Sequence, residues 1–204
     1  MTHSENHIDF ESKCRQIIGC TVQKVQYAEI DYYPDSPQPC YKTAYPEIDS
    51  IDFSVSLFTS GNNEIEIFWD DDFYPYGVGI RIDEKSAFNG NRKWDVSHEQ
   101  MWEDCIGQRI IEVIIYWDET WINSSITGYK NYYTYPLGLG LFFSHGEKII
   151  IGAAEFKNKD FETAHSGMDN LLVTSNEELA LKTQMIFVEG RDEKENRTFW
   201  KRLF

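Results

Sequence analysis

Residues 52–69, DFSVSLFTSGNNEIEIFW, decide the fold. Phe53, Val55 and Leu57 alternate with polar residues, Ser60-Gly61-Asn62-Asn63 supplies a turn, and Ile65, Ile67 and Trp69 resume the alternation. Period-two alternation on both sides of a Gly/Asn turn predicts an antiparallel hairpin with one buried face. The pattern returns in residues 137–153, LGLGLFFSHGEKIIIGA, around Ser144-His145-Gly146. Val55, Leu57, Phe58, Ser60, Ile65 and Ile67 fall on Leu139, Leu141, Phe142, Ser144, Ile149 and Ile151 at one constant offset.

Outward from the hairpins the correspondence continues. Ile18-Gly19 with Val25 matches Ile106-Gly107 with Val113, and Ile80, Glu84, Ala87 and Phe88 match Val173, Glu177, Ala180 and Leu181. A repeat this long implies two supersecondary units sharing a core rather than a solenoid, which needs several shorter units. The fold class expected is therefore α+β and β-rich: an internal duplication of a short helix plus about four antiparallel strands, with halves related by a pseudo-two-fold. The first half is residues 1–95, the second 96–190, and residues 191–204 form a C-terminal tail.

Within each half the order is helix, glycine, strand, hairpin, strand. Phe10, Cys14, Ile17 and Ile18 mark one face of a helix over residues 9–18, which Gly19 ends. In the second half Ser97 and Gln100 make a capping box before Met101, Trp102, Cys105 and Ile106, and Gly107 ends that helix. Strands follow over residues 21–30 and 108–117, and each half closes with one more, over 76–82 and 170–174. Residues 31–47, which hold four prolines, and residues 120–135 read as loops at equivalent places.

Composition narrows the function. The 204-residue chain carries a formal charge of −15, which disfavours nucleic acid, because that affinity comes from Lys and Arg displacing counterions. A basic protein is the expected partner. Cys14, Cys20, Cys40 and Cys105 lack C-x-x-C spacing and read as free buried thiols. His3, His7, His98, His145 and His165 are scattered without H-x-x-x-H spacing and read as surface residues. No apolar run approaches the roughly 20 residues of a membrane span, and no basic-then-apolar leader opens the chain. A cytoplasmic location without membrane contact is expected.

Two aromatic-acidic clusters stand out as a binding surface: Trp69-Asp70-Asp71-Asp72 with Tyr74, and Trp117-Asp118-Glu119 with Trp121. An aromatic ring can stack on a partner's guanidinium while a carboxylate pairs with it. The positions equivalent to Asp70–Asp72 in the second half are Ala154, Glu155 and Phe156, so only one copy carries the acid. Three adjacent carboxylates could gather a cation, but the alternation of a calcium loop is missing, and neither metal ligands nor a cofactor is expected. No nucleophile elbow or phosphate loop appears, so no catalytic residue is expected. Two alternatives are a small-ligand module using the aromatic loops and a metal-dependent hydrolase built on Asp118, Glu155 and Lys157.

Trp102, Ile106-Gly107, Val113, Tyr135-Pro136, Leu139, Leu141, Ser144, Gly146, Ile149, Ile151, Ala153-Ala154-Glu155 and Met168-Asp169-Asn170 together resemble the pattern of a broad set of uncharacterised bacterial proteins. The likeness spans residues 95–180 and implies no catalytic assignment. As a class, small acidic α+β proteins of this kind also resemble the immunity proteins that neutralise polymorphic bacterial toxins. That resemblance implies a non-enzymatic, protein-binding role against a basic toxin.

Overall fold

A computed structural model describes residues 5–31, 35, 39–73, 76–84, 91–123, 130–156, 164–187 and 199–203. In it β3 (Ser54–Thr59) and β4 (Glu64–Asp70) form the first hairpin, with Val55 opposite Ile67 and Leu57 opposite Ile65. The second hairpin joins β8 (Lys130–Phe143) to β9 (Lys148–Phe156), with Leu139 opposite Ile151 and Leu141 opposite Ile149. Their turns match in detail. Thr59 N donates to Asn63 O and Phe143 N to Glu147 O, and positive φ falls on Asn62 in one turn and Gly146 in the other.

Around these hairpins lie β1 (Val22–Ile30), β2 (Ile48–Ile51), β5 (Gly77–Ile82), β6 (Asn91–Asp95), β7 (Ile110–Asn123), β10 (Ala164–Thr174) and β11 (Phe199–Leu203). They make two antiparallel sheets, of five strands in the order β5-β4-β3-β1-β6 and of six in the order β11-β7-β8-β9-β10-β2. Read from β6 and from β11, the sheets share one strand order, and β2 is an extra strand that the first half lends to the second sheet.

The sheets face each other. Val55, Ile65 and Ile80 from one and Leu139, Ile149 and Val173 from the other are all buried in a single core. A one-residue slip in register would turn each of them to the opposite face of its sheet, so the alternation itself specifies the pairing. At roughly 25 cal/mol per Å² of apolar surface, each such side chain contributes about 1.5–3 kcal/mol. The starts of β1 and β7 also meet directly. Thr21 and Arg109 form an antiparallel bridge, Gly19 N donates to Ile110 O and Gly107 N to Val22 O, both at 2.7 Å.

The outer face of the six-stranded sheet is covered as well. α2 (Glu177–Lys182), capped by the Asn176 side chain, and the segment after it bury Ala180, Met185 and Ile186 against Ile114, Ile150 and Leu172. Gly138 and Gly152 stand opposite each other in β8 and β9, and a Cβ on either would come within 3.0 Å of Met185. These glycines let backbone seat on backbone.

Several expectations are corrected. The first helix, α1 (Glu5–Gln16), starts earlier than residue 9. The second-half helix reduces to a single 3-10 turn, Glu103–Cys105, without a side-chain cap. Ser97 is committed elsewhere: its Oγ accepts from Val25 N at 2.9 Å and donates to Asp95 at 2.7 Å. Trp102 is pulled inward, where its Nε1 donates to Tyr27 Oη at 2.6 Å. Residues 120–123 and 130–135 are strand rather than loop, because Trp121 pairs with Tyr132 and Thr120 with Tyr133 across β7 and β8. The C-terminal tail includes β11, paired along β7 from Trp117 to Val113. Among the described residues the first half has six strands, β1–β6, rather than about four, while the second has four, β7–β10. All four cysteines are free, but Cys40 is exposed and Cys20 only partly buried.

Candidate functional site

The acidic cluster sits where β4 ends and folds back toward the edge strand β5. Asp70 Oδ1 accepts from Asp72 N at 3.0 Å, a side-chain-to-backbone bond that closes the turn. Asp71 and Asp72 are exposed, and Asp70 is half-buried. Burial, helped by the like charges of Asp72 and Asp71, pushes the Asp70 carboxyl above its ordinary range, against the lowering effects of the Asp72 N–H bond and of Arg81. The three carboxylates offer oxygens within 4.8 Å of one another. Gly79 makes this fold-back possible, because a Cβ there would lie 2.6 Å from both Asp70 Oδ2 and Phe68 Cζ.

The turn is anchored by the next residue. Phe73 is buried against an aromatic group built from α1 and β7: its ring lies 5.8 Å from those of His7 and Phe10, and Phe10 and His7 meet Trp117 at 5.9 and 5.0 Å. This group brings the two predicted clusters to one end of the molecule. It also corrects the reading of His7 as a surface residue. Its Nε2 lies 2.8 Å from the Thr134 carbonyl oxygen, an acceptor, so that nitrogen carries the proton.

The second cluster is divided by the strand. Trp117 and Asp118 are only 1% and 4% exposed, so neither can present itself to a partner. Asp118 accepts the Tyr135 hydroxyl at 2.7 Å, and burial, with the Asp118 charge, drives the Tyr135 pKa far up. Glu119 and Trp121 remain partly exposed on the part of the β7–β8 ribbon that extends past the pairings of β9 and β11. Trp69 is a wall rather than a free anchor: Nε1 donates to Asp52 O at 2.9 Å and the ring meets Phe53 and Tyr76 edge-on. Tyr74, and Lys157 of the hydrolase alternative, lie outside the described residues.

Sequence reasoning missed Tyr132 and Tyr133, which are 57% and 37% exposed on that ribbon. The signal was present in the tyrosine-rich run NYYTY over residues 131–135. It also missed a second polar network. Tyr27 Oη donates to Asp49 Oδ2 at 3.0 Å, while Lys42 Nζ bridges Asp49 Oδ1 at 3.3 Å and Glu99 Oε2 at 3.0 Å. Tyr27 is fully buried and Asp49 1% exposed, so that end of the network holds the core together, while Lys42 and Glu99 carry it to the surface.

Between α1 and the β4–β5 edge lies a cavity of about 210 Å³ lined by Phe10, Lys13, Phe68, Asp70, Asp72 and Phe73 among others. Among the described residues, no helix is long and apolar enough to cross a membrane. No protein-family model matches the chain, and neither a curated protein nor a solved structure matches it.

Proposed function

We propose that this chain is a non-enzymatic protein-binding module, an immunity protein that neutralises a basic toxin in the cytoplasm. The observation that carries the reading is the exposed acidic turn at Asp71 and Asp72, held by buried aromatics at the same end as the ribbon bearing Glu119, Trp121 and Tyr132. A charge of −15 steers a cationic partner to this molecule, and the partly exposed aromatics supply contact area once it arrives. Trp117 and Asp118 serve that surface from beneath, as supports.

A tandem duplication is part of the same reading. The shared strand order and the exchanged hydrogen bonds of Gly19 and Gly107 support halves related by a pseudo-two-fold. The second copy has buried Ala154 and Phe156 where the first has its acids, so one copy was left free to bind.

The test is co-expression of the Asp71→Lys/Asp72→Lys variant with the toxin encoded by the adjacent gene. Loss of protection and of the complex by a folded variant is the expected result. Undiminished protection removes the turn from the interface, and the lack of any toxin gene beside this one counts against the immunity role itself.

A further inference from the structure

We infer that the cavity between α1 and the β4–β5 edge receives one guanidinium group, the head of an arginine on a basic protein partner. The inference rests on the protein-binding reading above and names what that partner must bring. At about 210 Å³ the cavity falls below the roughly 300–1,000 Å³ of pockets that enclose whole small molecules, and it suits a single side chain.

Its walls have the chemistry of a guanidinium receptor. Phe10, Phe68 and Phe73 contribute rings, and Asp70 and Asp72 contribute carboxylates. The two cations in the lining are already engaged. Lys13 binds Asp9 at 3.3 Å and Glu84 at 3.1 Å, tying α1 to the end of β5, and Arg81 binds Glu66 at 3.0 Å. Among the described residues neither Asp70 nor Asp72 forms an ion pair. Their charge is left for a cation from outside, and the half-burial of Asp70 makes its pairing stronger than one in open water.

The same wall already holds a guanidinium of its own. Arg81 lies 3.6 Å from the centroid of the Phe68 ring while its Nη1 bonds Glu66, so stacking and carboxylate pairing occur together on this face. The bare Cα of Gly79 lets the Asp70 carboxylate and the Phe68 ring settle onto β5 as one surface. A planar, weakly hydrated fork stacks and pairs at once, whereas an ammonium is a compact and strongly hydrated point charge. Arginine is therefore favoured over lysine.

The experiment is an NMR titration of the whole chain with N-acetyl-arginine methylamide, alongside the lysine and citrulline analogues. Saturable shifts at Phe68, Phe73 and Gly79 with the arginine probe, weaker ones with lysine and none with citrulline are expected. Asp70→Asn should weaken the arginine response about tenfold, the loss of about 1.4 kcal/mol that removing one charge-assisted contact gives. The exposed Asp72→Asn should weaken it in the same direction, and it decides the matter if Asp70→Asn disturbs the fold. Equal shifts with citrulline, shifts confined to other surfaces, or a folded Asp72→Asn variant that responds like the native chain would overturn the inference. If the probe fails while Asp71→Lys/Asp72→Lys still abolishes protection, the cavity is eliminated and the binding surface stands.

Discussion

Thr21 and Arg109 face each other in an antiparallel bridge, and the hydrogen bonds flanking them change places when the two strand starts are exchanged: Gly19 to Ile110 O becomes Gly107 to Val22 O, and Ser60 to Thr21 O becomes Ser144 to Arg109 O. Gly19 and Gly107 sit at φ of +92° and +79°, with open space where a Cβ would be. Gly19→Ala and Gly107→Ala should each cost about 1–2 kcal/mol, through backbone strain alone. Chemical denaturation measures both. A difference between them above about 1 kcal/mol would mean that the two positions are not equivalent.

Tyr135→Phe should destabilise the chain by about 1–3 kcal/mol, because Asp118 keeps its buried carboxylate and loses a donor. Urea denaturation reads this directly. A cost within about 0.5 kcal/mol would show that the bond contributes nothing net.

How much of this was legible can be judged from these same residues. Alternation and a Gly/Asn turn announce a hairpin locally, so both hairpins could be read from the chain, whereas the helix expected before Gly107 is only a 3-10 turn. The burial of Trp117 could not, because it depends on His7 and Phe10 arriving from α1, more than 100 residues earlier. The same limit applies to β11: nothing within residues 199–203 says that β7 has a free edge waiting for them. An aromatic beside an acid looks alike in sequence whether it faces a partner, as Trp121 can, or the core, as Trp117 does.

Stability should respond unusually to pH through Asp49. Burial lifts its carboxyl above the ordinary value, despite the opposing effects of Lys42 and Tyr27. A carboxyl raised in the folded state binds its proton more readily there, so its contribution favours folding at low pH and is lost as pH rises from the unfolded pKa through the folded one. Relative to Asp49→Asn, the native chain should therefore gain stability as pH falls from 7 into the carboxylate range. A difference between the two that stays flat or shrinks over that range would refute it.

The three aspartates should separate by burial. Asp71→Lys and Asp72→Lys should change stability by no more than about 0.5 kcal/mol, as exposed substitutions do. Asp70→Lys should cost about 1–3 kcal/mol, since it breaks the bond to Asp72 N and forces a longer side chain against Phe68 and β5. Thermal or denaturant melts distinguish them, and three equal values would show that the turn is uniformly solvated.

A chelator should leave the melting temperature unchanged, because neither histidine nor cysteine spacing provides a closed site. A fall of more than about 4 °C, on the order of 1 kcal/mol for a chain of this size, would assign a cation to Asp70–Asp72.

The placement of β2 has a consequence for how the chain is made. Its residues Ile48–Ile51 pair with Leu171–Thr174, which leave the ribosome some 120 residues later. The five-stranded sheet can begin to assemble as its own strands emerge, and one edge of β2 can meet Tyr41 and Lys42 at once, yet its other edge must wait for β10 until nearly the whole chain has been synthesised. At about 5–20 residues per second that interval lasts about 6–24 s, during which the edge of β2 that β10 will cover is open to wrong partners. Cut between its halves, the chain would leave one fragment with an orphan strand and the other with a bare sheet edge, so the two halves form a single folding unit however similar they are.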